Sequence, residues 1–133
     1  MSREIKFRAW SKFPKMFLDM SDACYYLLPF GKLVQITVDK KHRAVHRELD
    51  VVVQLYTGIK DCNGREIYEG DILKYGSCVE VVFYEPTMGR FMTELKKCND
   101  ESEIGEISSL SPYYTDNYEV IGNIHENLEL LKR

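Results

Sequence analysis

The sequence predicts a mainly β protein, built as a small barrel or as packed antiparallel sheets. Two observations carry this expectation. Apolar and polar residues alternate with period two in several segments, the signature of half-buried strands. Turn-forming residues recur about every 8–12 positions, which leaves room for roughly eight or nine short strands and little helix.

Glu4 to Trp10 opens the pattern, with Ile5, Phe7 and Ala9 on one face and Glu4, Lys6 and Arg8 on the other. Ser11 to Lys15, with Pro14, reads as a turn, and Met16, Leu18 and Met20 resume the alternation, giving a hairpin over 4–20. Leu28-Pro29-Phe30-Gly31 turns the chain into a β-branched strand at Leu33 to Val38. Residues 39–48 are strongly polar and read as a loop or one helical turn. Asp50 to Tyr56 is apolar on both faces and reads as a central, covered strand.

Asn63-Gly64 is the strongest turn signal in the chain, because both residues tolerate the positive φ of a tight hairpin. Gly70 marks a further bend before Ile72 to Tyr75. The strand Cys78 to Tyr84 is closed by Pro86-Thr87-Met88-Gly89, and Arg90 to Leu95 returns antiparallel. Asn99 to Ser111, acidic and serine-rich, reads as a mobile loop around at most one short strand. Tyr118 to Ile121 is the last strand. Glu126 to Arg133 is rich in helix formers and predicts a short C-terminal helix.

The chain has 133 residues, the size of a single domain, and needs neither metal nor disulfide to build a core. An internal division is expected between 1–48, an N-terminal hairpin region, and 49–133. With 18 basic and 21 acidic residues, a formal charge of −3, no chain-wide field favours nucleic acid or an acidic membrane. Cys24, Cys62, Cys78 and Cys98 lack metal-ligand spacing and are expected to be reduced thiols in a cytoplasmic protein. No apolar stretch is long enough to span a bilayer. No cofactor is expected.

The densest polar cluster is Lys60, Asp61, Asn63, Arg65, Glu66, Tyr68, Glu69 and Asp71, and the candidate binding segment is drawn from it: Lys60, Asp61, Asn63, Glu66, Tyr68, Glu69 and Asp71. Its carboxylates suit a divalent cation or an acid/base pair. Turn chemistry explains the same residues without a ligand, with Asp61 to Gly64 making a hairpin and Asp71 bonding nearby amides. Lys40, Lys41, Arg43 and Arg47 form a candidate nucleic-acid patch, salt-sensitive and local. His42 and His46 would share one helical face as metal ligands, but the surrounding cations oppose that. His125 beside Glu126 has acid/base chemistry or serves as a polar cap contact. Tyr25, Tyr26, Phe30, Tyr113 and Tyr114 lie beside turns, as stacking or interface residues or as caps of an open barrel end.

Three stretches together resemble the YopX family of bacteriophage and prophage proteins: Arg3 to Trp10, Tyr56 to Leu73, and Val120 to Asn127 leading into Glu129-Leu130-Leu131. They span nearly the whole chain. Family members tend to carry Gln directly before the aromatic-Thr-Gly, whereas here Leu55 intervenes and Gln54 lies one place earlier. Leu128 stands where Pro is usual. The resemblance implies an SH3-like β-barrel component and a phage or prophage origin, hence the cytoplasm of a bacterial host, with no assigned activity. The first expectation is a non-enzymatic accessory protein that binds a host or phage protein and is a candidate homo-oligomer. The alternatives are a nucleic-acid-binding barrel and a metal-dependent hydrolase using the carboxylates of 61–71.

Overall fold

The structure, a computed structural model, describes residues 4–21 and 24–132, and for Tyr114 the backbone alone. Arg3, the Tyr114 side chain and Arg133, which entered the expectations above, lie outside the described residues. The described chain is mainly β, with twelve strands, three short 3-10 turns and no α-helix among the described residues. Its sheets are antiparallel, and none of its helical segments is long and apolar enough to cross a membrane.

The chain divides into two compact units. Phe7–Gln54 forms one, holding β1 (Phe7–Lys12), β2 (Lys15–Phe17), β3 (Tyr25–Leu27), β4 (Leu33–Val38), β5 (Ala44–Glu48) and the first residues of β6 (Val51–Lys60). The β1–β2 hairpin turns at Phe13-Pro14, with Trp10 opposite Phe17 and Lys12 opposite Lys15. Ala9 is wholly buried, Trp10 meets the Phe17 ring edge-on at 5.0 Å, and the Arg8 guanidinium lies 4.7 Å over that ring. Arg8 Nε also donates to Gln54 Oε1 at 2.9 Å, so the glutamine that stands one place early is buried and engaged. The sheet β3-β4-β5 completes this unit, with Leu33 buried on its inner face.

The other unit runs from Leu55 onward and includes the segment ending at Lys6. It holds the rest of β6, then β7 (Glu66–Tyr68), β8 (Asp71–Tyr75), β9 (Cys78–Glu85), β10 (Arg90–Lys97), β11 (Ile107–Ser109) and β12 (Tyr118–Asn123). Five of these form a sheet in the order β11-β10-β9-β8-β12. Register shifts between Leu95 and Lys97, and between Val120 and Gly122, raise the local twist and curl the sheet. Ile67, Leu73, Val82, Leu110, Tyr118 and Val120 fill the core, with Ile59 and Phe91 packed against it. Full burial of a side chain such as Ile67 or Leu73 contributes about 2 kcal/mol.

Several expectations are corrected. The C-terminal segment is no α-helix but a 3-10 turn at Leu128–Leu131. Asn123 Oδ1 accepts from the backbone N–H of His125 (3.0 Å) and Glu126 (2.9 Å), fixing a turn just before it. Too few residues remain beyond that turn to offset helix nucleation. Residues 39–48 do not form a loop or helical turn throughout. Asp39 Oδ1 accepts from Lys41 N and Arg43 N, both at 2.9 Å, and His42 takes φ 60°; this tight turn returns the chain as β5 along β4. His42 and His46 therefore share no helical face. The first strand begins at Phe7, and Ile5 is 79% exposed. Val51 to Val53 are only half-buried, so β6 is interior to its sheet without being fully covered.

The expectation of four reduced cysteines fails for one pair. Beyond the β9–β10 bulge Lys97 pairs with Val79, which sets Cys98 opposite Cys78, and the two form a disulfide with Cα atoms 4.3 Å apart. Sequence spacing alone conceals that proximity because the bulge changes the register by one. Cys62 is a free thiol.

Gly122 sits where the bulge of β12 meets the Asn127 side chain, and a Cβ there would fall 2.6–2.8 Å from Asn127 Oδ1, Cγ and Cβ. The Gly122→Ala variant is expected to lose about 2 kcal/mol in urea denaturation, the cost of overpacking a fitted site. An unchanged midpoint would show that the turn yields freely.

Candidate functional site

The candidate segment 60–71 is the second half of a hairpin and the corner that follows it. Asp61 is buried, and both its oxygens are occupied. Oδ1 accepts from Asn63 N at 2.9 Å and Arg65 N at 2.8 Å, which closes the Asn63-Gly64 turn, and Oδ2 accepts from Val120 N on β12 at 2.9 Å. Gly64 takes φ 79°, as the turn requires, and its N–H reaches the Asp61 carbonyl at 3.1 Å. Glu69 Oε2 accepts from Leu55 N at 2.7 Å while Glu69 N donates to the Leu55 carbonyl at 3.0 Å. Asp71, almost wholly buried, accepts from Tyr68 N at 2.8 Å.

Glu66 pairs at 2.9 Å with Lys6, whose ammonium is held well above the ordinary lysine range by hydrogen bonds to Glu66 and Glu4. Tyr68 stacks at a tilt on Tyr56 with centroids 5.5 Å apart. Burial pushes the Tyr56 hydroxyl above its usual pKa. Lys60 lies opposite Glu66 and, like Asn63, is exposed. The carboxylates of 61–71 therefore reach separate backbone amides and a lysine. No group of three or more potential ligands capable of holding a metal assembles among the described residues.

The basic patch is likewise spread out. Lys40 and Lys41 stand exposed on the β4–β5 turn. Arg43 is tied to Asp39 at 2.9 Å, and the amides of Arg43 and Lys41 hold the Asp39 carboxyl below its usual range, the Arg43 amide most strongly. Arg47 lies on the opposite face of β5 from His46 and borders a cavity of about 300 Å³ with Tyr25, Gln35 and Leu49. His125 donates its amide to Asn123 in the C-terminal turn. Tyr26, Phe30 and Tyr113 are exposed, while Tyr25 is half-buried.

What the unit from Leu55 onward does offer is an open groove of about 530 Å³. One wall is β6 at Leu55, Thr57, Gly58 and Ile59, where the β6–β7 register breaks between Tyr56 and Lys60. Gly58 takes φ 84° there. Thr57 Oγ1 donates to the Ile67 carbonyl at 2.7 Å and accepts from Ile59 N at 3.2 Å, so the side chain holds the bulge in shape. The other wall is the tip of the β9–β10 hairpin, with Tyr84, Gly89, Arg90 and Phe91. Tyr84 pairs directly with Phe91, ring edge to face at 5.3 Å, and Leu110 closes the floor. The result is an apolar trough rimmed by a phenol and a guanidinium, which is the composition of an interface anchor site.

Sequence reasoning singled out Thr57, Gly58 and Ile59 only as part of a family run and missed Tyr84, Arg90, Phe91 and Leu110. A signal was present: the Pro86 to Gly89 turn brackets Tyr84 and Phe91, and a hairpin closing there makes them cross-strand partners.

One buried charge is unexplained by the scaffold. Glu80 on β9 has Oε2 buried without a hydrogen-bond partner. Burial pushes its carboxyl above the usual range, against a hydrogen bond from Thr93 that lowers it. Beside it lies a small cavity of about 160 Å³ bordered by Tyr75, Leu95, Glu103, Glu106 and Ser108.

Comparison with known proteins gives two findings. A family model described as YopX protein matches residues 6–132. The solved structure titled "Crystal structure of protein EF1440 from Enterococcus faecalis" is 31% identical, covers 98% of this chain and 100% of that chain, and superposes with a TM-score of 0.54. No curated protein matches.

Two outcomes are expected from these sites. Asp61→Ala leaves three backbone N–H groups without their acceptor and should cost about 3 kcal/mol, read as a melting temperature lower by about 10 °C; a shift under about 2 °C would contradict the role given to this carboxylate. For Glu80 the folded pKa lies above the unfolded value of about 4.3. Its contribution is then full below that pH and is lost as pH rises through the folded pKa. Glu80→Gln should therefore stabilise the protein at pH 8 and give a smaller gain at pH 4, measured by urea midpoints. An equal gain at both pH values would remove ionisation as the cause.

Proposed function

The chain belongs to the YopX family, and on that premise we propose that it is a non-enzymatic phage or prophage accessory protein whose groove holds a segment of a partner protein. The observation that carries this reading is the division of labour within the run Tyr56 to Leu73. Its carboxylates are engaged by backbone amides and Lys6, while Thr57, Gly58 and Ile59 line the groove. An apolar side chain of the partner fits the floor formed by Ile59, Phe91 and Leu110, and an acidic group beside it answers Arg90. The unit that bears the groove is read as the SH3-like component, with a curled antiparallel sheet in its support.

Affinity capture from host lysate tests the reading. A protein enriched on the natural chain should be lost on Arg90→Glu and weakened about thirtyfold on Tyr84→Ala, both exposed positions outside the buried core, with thermal melts confirming that each variant is folded. Retention by both variants would place the partner elsewhere. Salt-sensitive retention on heparin, lost on Lys40→Ala/Lys41→Ala/Arg43→Ala/Arg47→Ala, would move the function to nucleic acid.

A further inference from the structure

The cavity of about 300 Å³ bordered by Arg47 is walled entirely by residues of the unit Phe7–Gln54. Strand register builds one wall. Tyr25 stands opposite Gln35, and Gln35 stands opposite Arg47, so their side chains form one row across β3-β4-β5. Gln35 shares its face of β4 with the wholly buried Leu33 two places earlier, which sets the row on the inner side of the sheet. The β1–β2 hairpin contributes Ser11, Phe13 and Pro14, while Leu18, Leu49 and Val51 add apolar wall. The polar groups of this lining are unanswered. Among the described residues, no hydrogen bond or ion pair engages the side chains of Tyr25, Gln35, Arg47 or Ser11, although Ser11 is only 7% exposed. The acidic groups nearest Arg47 in sequence are already paired. Glu48 meets Lys32 at 2.9 Å, and Asp50, which borders the cavity, meets Lys12 at 3.1 Å. The guanidinium of Arg47 is therefore the one charge at the cavity left without a counter-ion among the described residues.

We propose that this cavity binds a small monocarboxylic acid with an apolar body about the size of one ring. Small-molecule sites combine apolar walls with a few placed polar groups, and this lining has that composition at the lower end of their usual volume. A carboxylate matches the guanidinium fork of Arg47, and the Gln35 carboxamide beside it can donate to the same group. Leu18, Leu49 and Val51 then receive the apolar body. Tyr25 lies two strands from Arg47, about 10 Å away, and its hydroxyl answers a polar substituent at the far end of the ligand. Charge sets the class. A single unpaired cation suits a single negative charge, whereas a phosphate ester carries close to two and would set the second against Asp50. The proposal is independent of the groove, which is built from other residues.

Titration of the full chain with benzoate, followed by the amide resonances of the protein, tests it. Shifts should centre on Ser11, Gln35 and Arg47, with a dissociation constant of about 1 mM, the order expected for so few atoms. Benzamide has the same shape without the charge and should bind about tenfold more weakly. Inorganic phosphate should leave the same amides unmoved. Arg47→Gln, at an exposed position, should weaken benzoate about tenfold while the remaining resonances keep their places. Gln35→Glu sets a carboxylate directly opposite Arg47, which fills the guanidinium from within the chain, and benzoate binding should be lost. The proposal is overturned if about 10 mM benzoate shifts none of these residues. It fails equally if benzamide or phosphate binds as well as benzoate, or if either variant keeps the natural affinity.

Discussion

Asp61 accepts N–H groups from three residues in two distant parts of the chain: Asn63 and Arg65 across its own turn, and Val120 on the last strand. A carboxylate at a buried position is costly unless its lone pairs are answered, and here the donors are main-chain groups that would otherwise be orphaned at a sharp bend. The same turn returns a backbone bond, since Cys62 N donates to the Tyr118 carbonyl at 2.9 Å. The β6–β7 hairpin and β12 are thereby locked in register before any side chain of the core is counted. Ile67 and Val120, which flank this junction, can then be buried together with Leu73 and Val82.

The device recurs. Glu69 ties the β7–β8 corner to Leu55, Asp71 holds the amide of Tyr68, and Gly70 links two further segments through Val82 and Ile124. Asn123 and Asn127 do for the C-terminal turn what Asp61 does for the hairpin, and the absence of a Cβ at Gly122 leaves space for Asn127. Asp39 builds the β4–β5 turn by the same means. In a chain of short strands, each corner leaves amides that no ladder satisfies, and short carboxylate or amide side chains are the cheapest acceptors within reach. A dense run of polar residues is therefore what a much-folded β chain needs at its corners, whatever it binds.

That explains which features could be read in advance. Turns were legible because Asn63-Gly64 and Pro86 to Gly89 are local signals, while β1 was marked by the alternation through Phe7 and Ala9 and β4 by its β-branched composition. β5 was hidden because all its side chains are exposed, so no burial pattern marks it; its conformation follows from β4 and the Asp39 turn. The C-terminal tail has helical composition, yet Asn123 fixes a turn at its start and leaves too short a remainder. The disulfide and the groove were illegible for one reason. Cys78 with Cys98, and Ile59 with Phe91, become neighbours only once strand register and bulges are known, and neither is printed in spacing.

Residues that stand together in sequence because they serve one corner share a structural demand, and the surface they leave free is set by what remains. Along Tyr56 to Leu73 the demand is met by Asp61, Glu69 and Asp71, and what remains is the bulge at Thr57, Gly58 and Ile59. Gly58 permits the backbone to turn away from the ladder, and the space so opened is met by a hairpin tip whose Tyr84 and Arg90 carry no part of the core. Rigid corner chemistry on one side and dispensable side chains on the other is the arrangement in which binding preference can change while the fold does not. On the proposed function, variation that preserves Asp61 and Asp71 but exchanges positions 84 and 90 would thus change the groove without altering the scaffold beneath it.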